Sequence, residues 1–115
     1  MTPTLYGIKA CDTMVKARAW LASKGIDYRF HDYKTQGLEA DRLAGWVDQV
    51  GWELLLNRQG TTFRKLDADQ KADLDRLRAI SLMLAQTSMV KRPVLEIGDA
   101  IHVGFKPETW QAIFF

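Results

Sequence analysis

Residues 4–33, TLYGIKACDTMVKARAWLASKGIDYRFHDY, carry the clearest structural pattern in the chain. It opens with a short apolar run, TLYGI, which reads as a buried strand. A polar junction follows, and then a helical pattern. Ala17, Trp20 and Leu21 share one helix face, while Lys16, Arg18 and Lys24 lie elsewhere. Asp12 or Thr13 is the expected helix cap, and Gly25 the expected stop. IDYRFHDY then alternates Ile26, Tyr28 and Phe30 against Asp27, Arg29 and His31, as a half-buried strand does. The order is strand, helix, strand, so a right-handed crossover and a parallel strand pair are predicted.

Further along, Leu43, Trp46, Val47 and Val50 make a helical stripe that ends at Gly51. WELLLN predicts one or two helical turns, and RQGTTFRKL a basic turn. DADQKADLDRLRAISLMLAQT predicts helix, with a break near Asp73 or Leu74. RPVLEI and AIHVGF are two short strands around Gly98-Asp99, a tight-hairpin signal. Pro107 suits the first position of a last helix carrying Trp110 and Ile113. This is the element order of an α/β thioredoxin-like fold: a four-stranded mixed sheet with a helical insertion at about 37–88 in a single domain spanning 1–115.

The totals agree with one soluble domain. The chain has 115 residues, 47% hydrophobic and 26% charged, with a net charge of +2. That near balance argues against a dedicated nucleic-acid binder. No apolar run approaches the roughly 20 residues needed to cross a bilayer. The N-terminus MTPTLYGIK lacks the pattern of a signal peptide, so a cytoplasmic location is expected. One cysteine, Cys11, excludes an internal disulfide, and with only His31 and His102 no metal site is expected. Both histidines read as ordinary strand residues, and the four tryptophans as core.

Cys11 stands just before a helix. Unpaired backbone N–H groups and the positive end of the helix dipole favour a thiolate there. They lower a cysteine pKa from its free value of about 8.5. Lys9 and Lys16 are candidates to add positive potential. The alternative is a small buried hydrophobe, the usual fate of a free cysteine. A guanidinium group can hold an oxyanion or a carboxylate by paired, charge-assisted hydrogen bonds. Arg64 and Lys65 can contribute to a basic rim or be plain solvated loop residues.

YGIKACDTMVKARAWL (6–21) together with VKRPVLEIGDAIHVGFKPETW (90–110) resembles the arsenate reductase (ArsC) family of thioredoxin-fold proteins. Within it the chain is most similar to the YffB-type branch, which carries a Y-G-I-K-x-C-D-T start. The likeness includes NRQGTTFRKL in the middle. It implies that Cys11 is the catalytic cysteine. It implies that Arg92, in the Arg92-Pro93 pair, binds an oxyanion or glutathione. Arg58 matches a second such arginine, with Asn57 as the alternative offset. Pro93 is expected to be cis and close to the cysteine. Asp12 and Thr13 are expected beside the thiolate, and Lys9 is a further member of the site.

The departures from the family are informative. Glutathione-linked arsenate reductases carry a His-Asn-Pro run ahead of the cysteine, where this chain has Gly7, Ile8 and Lys9. Their third arginine is replaced at the best-matching positions by Phe105 or Lys106. Both changes count against efficient arsenate reduction. Spx-type transcription regulators also belong to this family, and many use a C-x-x-C switch whose second position here is Met14.

The resemblance therefore implies a glutathione-dependent thiol reductase with a single nucleophilic cysteine. Glutathione is the co-substrate, glutaredoxin a possible partner, and a small oxyanion or mixed disulfide the substrate. No membrane or direct nucleic-acid partner is expected. The rival is a Spx-like module that docks on RNA polymerase without catalysis.

Overall fold

Four strands form a mixed sheet in the order β2-β1-β3-β4. They are β1 (Thr4–Gly7), β2 (Arg29–Asp32), β3 (Val94–Ile97) and β4 (Ala100–Val103). β1 is central. It pairs parallel with β2, Leu5 opposite Phe30, and antiparallel with β3, Leu5 opposite Leu95. β3 and β4 form the hairpin read from the sequence around Gly98-Asp99. The computed structural model describes residues 2–115.

The chain divides into two compact units. One runs through Tyr33 and resumes at Arg92–Phe115; the other is Lys34–Lys91. The first unit has the βαβ and ββα halves of the thioredoxin fold. Helix α1 (Asp12–Ser23) joins β1 to β2, and α8 (Pro107–Phe114) follows β4 with its proline at the start. Its core consists of Leu5, Met14, Ala17, Leu21, Leu95 and Trp110, all at most 1% exposed. Phe30, Ile26 and Tyr28 pack against that core.

β2 is shorter than the alternation predicts. Arg29 N–H donates to the Pro3 carbonyl at 2.9 Å, and pairing stops there. Proline has no N–H with which to continue the ladder. Residues 26–28 therefore keep the inward side chains of a strand without being one.

Aromatic packing seals one end of this unit. The Trp110 ring meets Phe105 at 4.7 Å and Trp20 at 5.9 Å, both edge to face. That geometry suits the ring quadrupoles. Trp110 Nε1–H donates to the Gly104 carbonyl at 3.1 Å, which satisfies the buried indole. Gly104 itself has φ +88°, where a side chain is disfavoured, and its N–H reaches the Pro93 carbonyl at 2.8 Å. A tight glycine turn thus ties the hairpin end to the start of β3.

The second unit is helical. The turn α2 (Tyr33–Gln36) leads into it, and α3 (Ala40–Val50) buries Leu43, Trp46 and Val47. Next come α4 (Trp52–Leu55), α5 (Thr61–Arg64), α6 (Ala68–Lys71), α7 (Arg76–Ala85) and a 3-10 turn at Thr87–Met89. The RQGTTFRKL segment is thus not merely a turn. Phe63, 8% exposed, anchors the short helix α5 within it. The predicted break falls between α6 and α7, with Asp73 at φ +51° and Asp75 capping α7 through Arg78 N–H at 2.8 Å. Trp46 and Trp110 are buried as expected, whereas Trp20 and Trp52 are partly exposed.

Candidate functional site

Cys11 is itself the residue that caps α1, with extended backbone angles of φ −88° and ψ 135°. This corrects the expectation that Asp12 or Thr13 caps the helix. Those two are its first helical residues, and both are exposed. The geometry has a chemical result. A cap residue faces the first N–H groups of its helix, which have no partner within it. Here the residue at that position is a cysteine, so the Met14 and Thr13 amides favour its thiolate.

Cys11 is half-buried. Burial pushes its pKa up, since a thiolate is poorly solvated there. Four effects oppose burial and win. They are the backbone N–H of Met14, a hydrogen bond from Arg92, the backbone N–H of Thr13, and the Arg92 charge. The thiol ends below its ordinary value. Thr13 therefore acts through its amide, and the cation acting on the sulfur is Arg92. Lys9 and Lys16, the cations nearest in sequence, are exposed and contribute no such effect.

Arg92 precedes β3, and the Arg92–Pro93 peptide is cis. Pro93 is buried. Arg92 and Cys11 belong to the same unit and meet although 80 residues of chain separate them. Lys9 enters the site by its backbone rather than its ammonium group. Its N–H donates to Asp32 Oδ2 at 3.2 Å, pinning the loop ahead of Cys11 to the end of β2.

Arg58 lies in the second unit, exposed, after α4. Its guanidinium stands over the Trp52 ring, 5.6 Å from the centroid. Asn57, the alternative offset, accepts from the N–H groups of Gln59 and Gly60 at 3.2 Å each, so it shapes its own turn. Phe105 belongs to the aromatic cluster, and Lys106 is the exposed residue ahead of α8. His31 packs against Tyr6 with the rings tilted, their centroids 4.9 Å apart.

Two residues of the site escaped the sequence reading, Asp32 and Tyr33. Tyr33 is 1% exposed, and its hydroxyl is hydrogen-bonded to Arg92. Its pKa is pushed well up, chiefly by burial, against the opposing Arg92 charge and hydrogen bond. No local signal marks it, since a tyrosine after a strand is unremarkable until its neighbours are known. Among the described residues no group of three or more His, Cys, Asp or Glu side chains is placed to hold a metal. Nor is any helix among them long and apolar enough to cross a membrane.

Comparison with known proteins agrees with this picture. The family model described as the ArsC family matches residues 6–113. A solved structure named the YFFB protein is 59% identical, covers 96% of this chain and 97% of its own, and has a TM-score of 0.94. An arsenate reductase (ArsC) related protein from Brucella melitensis is 58% identical, with 99% and 95% covered and a TM-score of 0.81. A global transcriptional regulator Spx from Streptococcus pyogenes is 28% identical over 111 residues, 95% of this chain and 82% of its own. The fold, the cysteine at the head of α1 and the family match across almost the whole chain lead to one conclusion: this protein belongs to the ArsC family.

Proposed function

We propose that the protein is a glutathione-dependent thiol reductase that works through Cys11 alone. The observation that carries this reading is the capped, Arg92-paired thiol, whose pKa lies below the ordinary value. In the reductive cycle the Cys11 thiolate attacks the glutathionyl sulfur of a mixed disulfide. A Cys11–glutathione disulfide forms, and the substrate leaves as its thiolate. The thiolate of a second glutathione then attacks the glutathionyl sulfur, releasing oxidised glutathione and restoring Cys11. External thiol is required because Cys11 is the single cysteine and Met14 stands where a resolving thiol would be. Arg92 is the proposed holder of a glutathione carboxylate or an oxyanion substrate. Arg58 is proposed as a second anion-binding residue on the family resemblance, and glutaredoxin as a partner.

The test is a substrate panel of arsenate, mixed disulfides and dehydroascorbate, assayed with glutathione and with glutaredoxin. Turnover with at least one substrate, lost in Cys11→Ser, is expected. No turnover with any of them refutes the reading. The Spx relative supports one alternative, a regulatory protein that docks on RNA polymerase without catalysis. Retention of polymerase in a pull-down, with no turnover on the panel, would favour it.

A further inference from the structure

Tyr33 follows β2 directly and opens α2. Its side chain is 1% exposed, so its hydroxyl needs a partner inside the protein. That partner is the Arg92 guanidinium, which also hydrogen-bonds Cys11. One cation therefore bridges a buried phenol and a half-buried thiol.

The arrangement solves a physical problem. An arginine side chain has many accessible rotamers. Left to itself, Arg92 would sample orientations that do not meet the sulfur. A hydroxyl on a fixed ring holds one part of the planar fork, and the rest is then aimed. Tyr33 suits this task because it stays protonated. Burial raises its pKa, and the Cys11 and Asp32 charges raise it further, against the Arg92 charge and hydrogen bond. It remains a neutral acceptor for the guanidinium and brings no negative charge toward the thiolate. Its neighbour Asp32 holds Lys9 N–H, so the end of β2 braces both the cysteine loop and the arginine.

We propose that Tyr33 is a positioning residue whose hydroxyl holds the Arg92 guanidinium against the Cys11 sulfur. The proposal deepens the reading of Cys11 as a reactive thiol, yet its test needs no glutathione. Cys11 is the one cysteine, so its alkylation by iodoacetamide reports a single thiol across a pH series.

In Tyr33→Phe the alkylation midpoint is expected to rise by up to about one pH unit. Well below the midpoint, the rate would then fall by up to about tenfold, one decade per unit. In an Arg92→Ala background, adding Tyr33→Phe should move the midpoint no further, because the two act as one unit. An unchanged midpoint in a folded Tyr33→Phe protein, shown by its circular dichroism, overturns the proposal. So does a shift of equal size in the absence of Arg92.

Should the phenylalanine variant fail to fold, 3-fluorotyrosine at position 33 keeps the shape and weakens the acceptor. A smaller upward shift is then expected, and no shift overturns the proposal. If these shifts appear but the substrate panel shows no turnover, the reductase reading fails and the positioning role stands.

Discussion

Met14 Sδ occupies the space that a side chain at position 7 would need: a β-carbon added to Gly7 would meet the sulfur and methyl of Met14. Met14 is 0% exposed and belongs to the core of the first unit. Position 14 is thus both the place where a C-x-x-C protein carries its second thiol and a packing element under β1. Gly7→Ala is expected to cost about 1–3 kcal/mol by overpacking, with Met14 forced off its present position. Thermal unfolding checks it, and a midpoint equal to that of the natural protein would show that Met14 gives way freely.

Met14→Cys should change the chemistry and the stability together. Removing the thioether tail leaves a small void, for a loss of about 1–2 kcal/mol, below the usual range for truncating a methionine to alanine. The new thiol lies one helical turn from Cys11, within reach of a disulfide. The natural protein treated with oxidised glutathione should keep a single glutathionyl adduct until external thiol is added. The variant should shed the adduct unaided and close an internal disulfide. Mass spectrometry separates the two, and spontaneous loss from the natural protein would contradict the external-thiol cycle.

Alkylation of Cys11 should rise with pH through a midpoint below that of an ordinary thiol, because the folded protein favours the thiolate. Arg92→Ala removes a hydrogen bond and a positive charge from the sulfur. The midpoint should move up. Thiolate absorbance in the ultraviolet gives an independent reading. A midpoint that stays in place would assign the lowering to the α1 amides alone.

Arg92→Ala should also weaken glutathione or oxyanion binding by roughly ten- to a hundredfold, the loss of a charge-assisted hydrogen bond of about 1.5–3 kcal/mol. Lysine should restore only part of it, lacking the planar fork. Titration calorimetry measures both variants, and unchanged affinity in each would remove Arg92 from the binding role.

Trp110→Phe should destabilise the first unit by about 1–2 kcal/mol. It loses the hydrogen bond to the Gly104 carbonyl and some ring contact with Trp20 and Phe105. Trp110→Ala should cost about 3–5 kcal/mol. Denaturant unfolding distinguishes the two, and equal losses would show that the indole N–H contributes nothing.

Periodicity, turn residues and proline placement determined the order of the elements. The stripe Ala17, Trp20, Leu21, the Gly98-Asp99 turn and Pro107 each specify structure within a few residues of themselves. The half of the Cys11 site made by α1 was legible for the same reason, because the amides of Thr13 and Met14 are chain neighbours of the sulfur. The helix is capped one step earlier than propensity indicates, since cysteine is a weak cap on propensity and Asp12 a strong one. Where β2 begins depended on its partner, through the missing N–H of Pro3. The motif resemblance points to Arg92 for the site, whereas along the chain the cations nearest to Cys11 are Lys9 and Lys16. That the charge beside the thiol comes from Arg92, and that Tyr33 meets it, follows from long-range packing. Those residues lie far from Cys11 along the chain. They meet it because β1 sits between β2 and β3, which places the end of one neighbour and the start of the other at the head of α1.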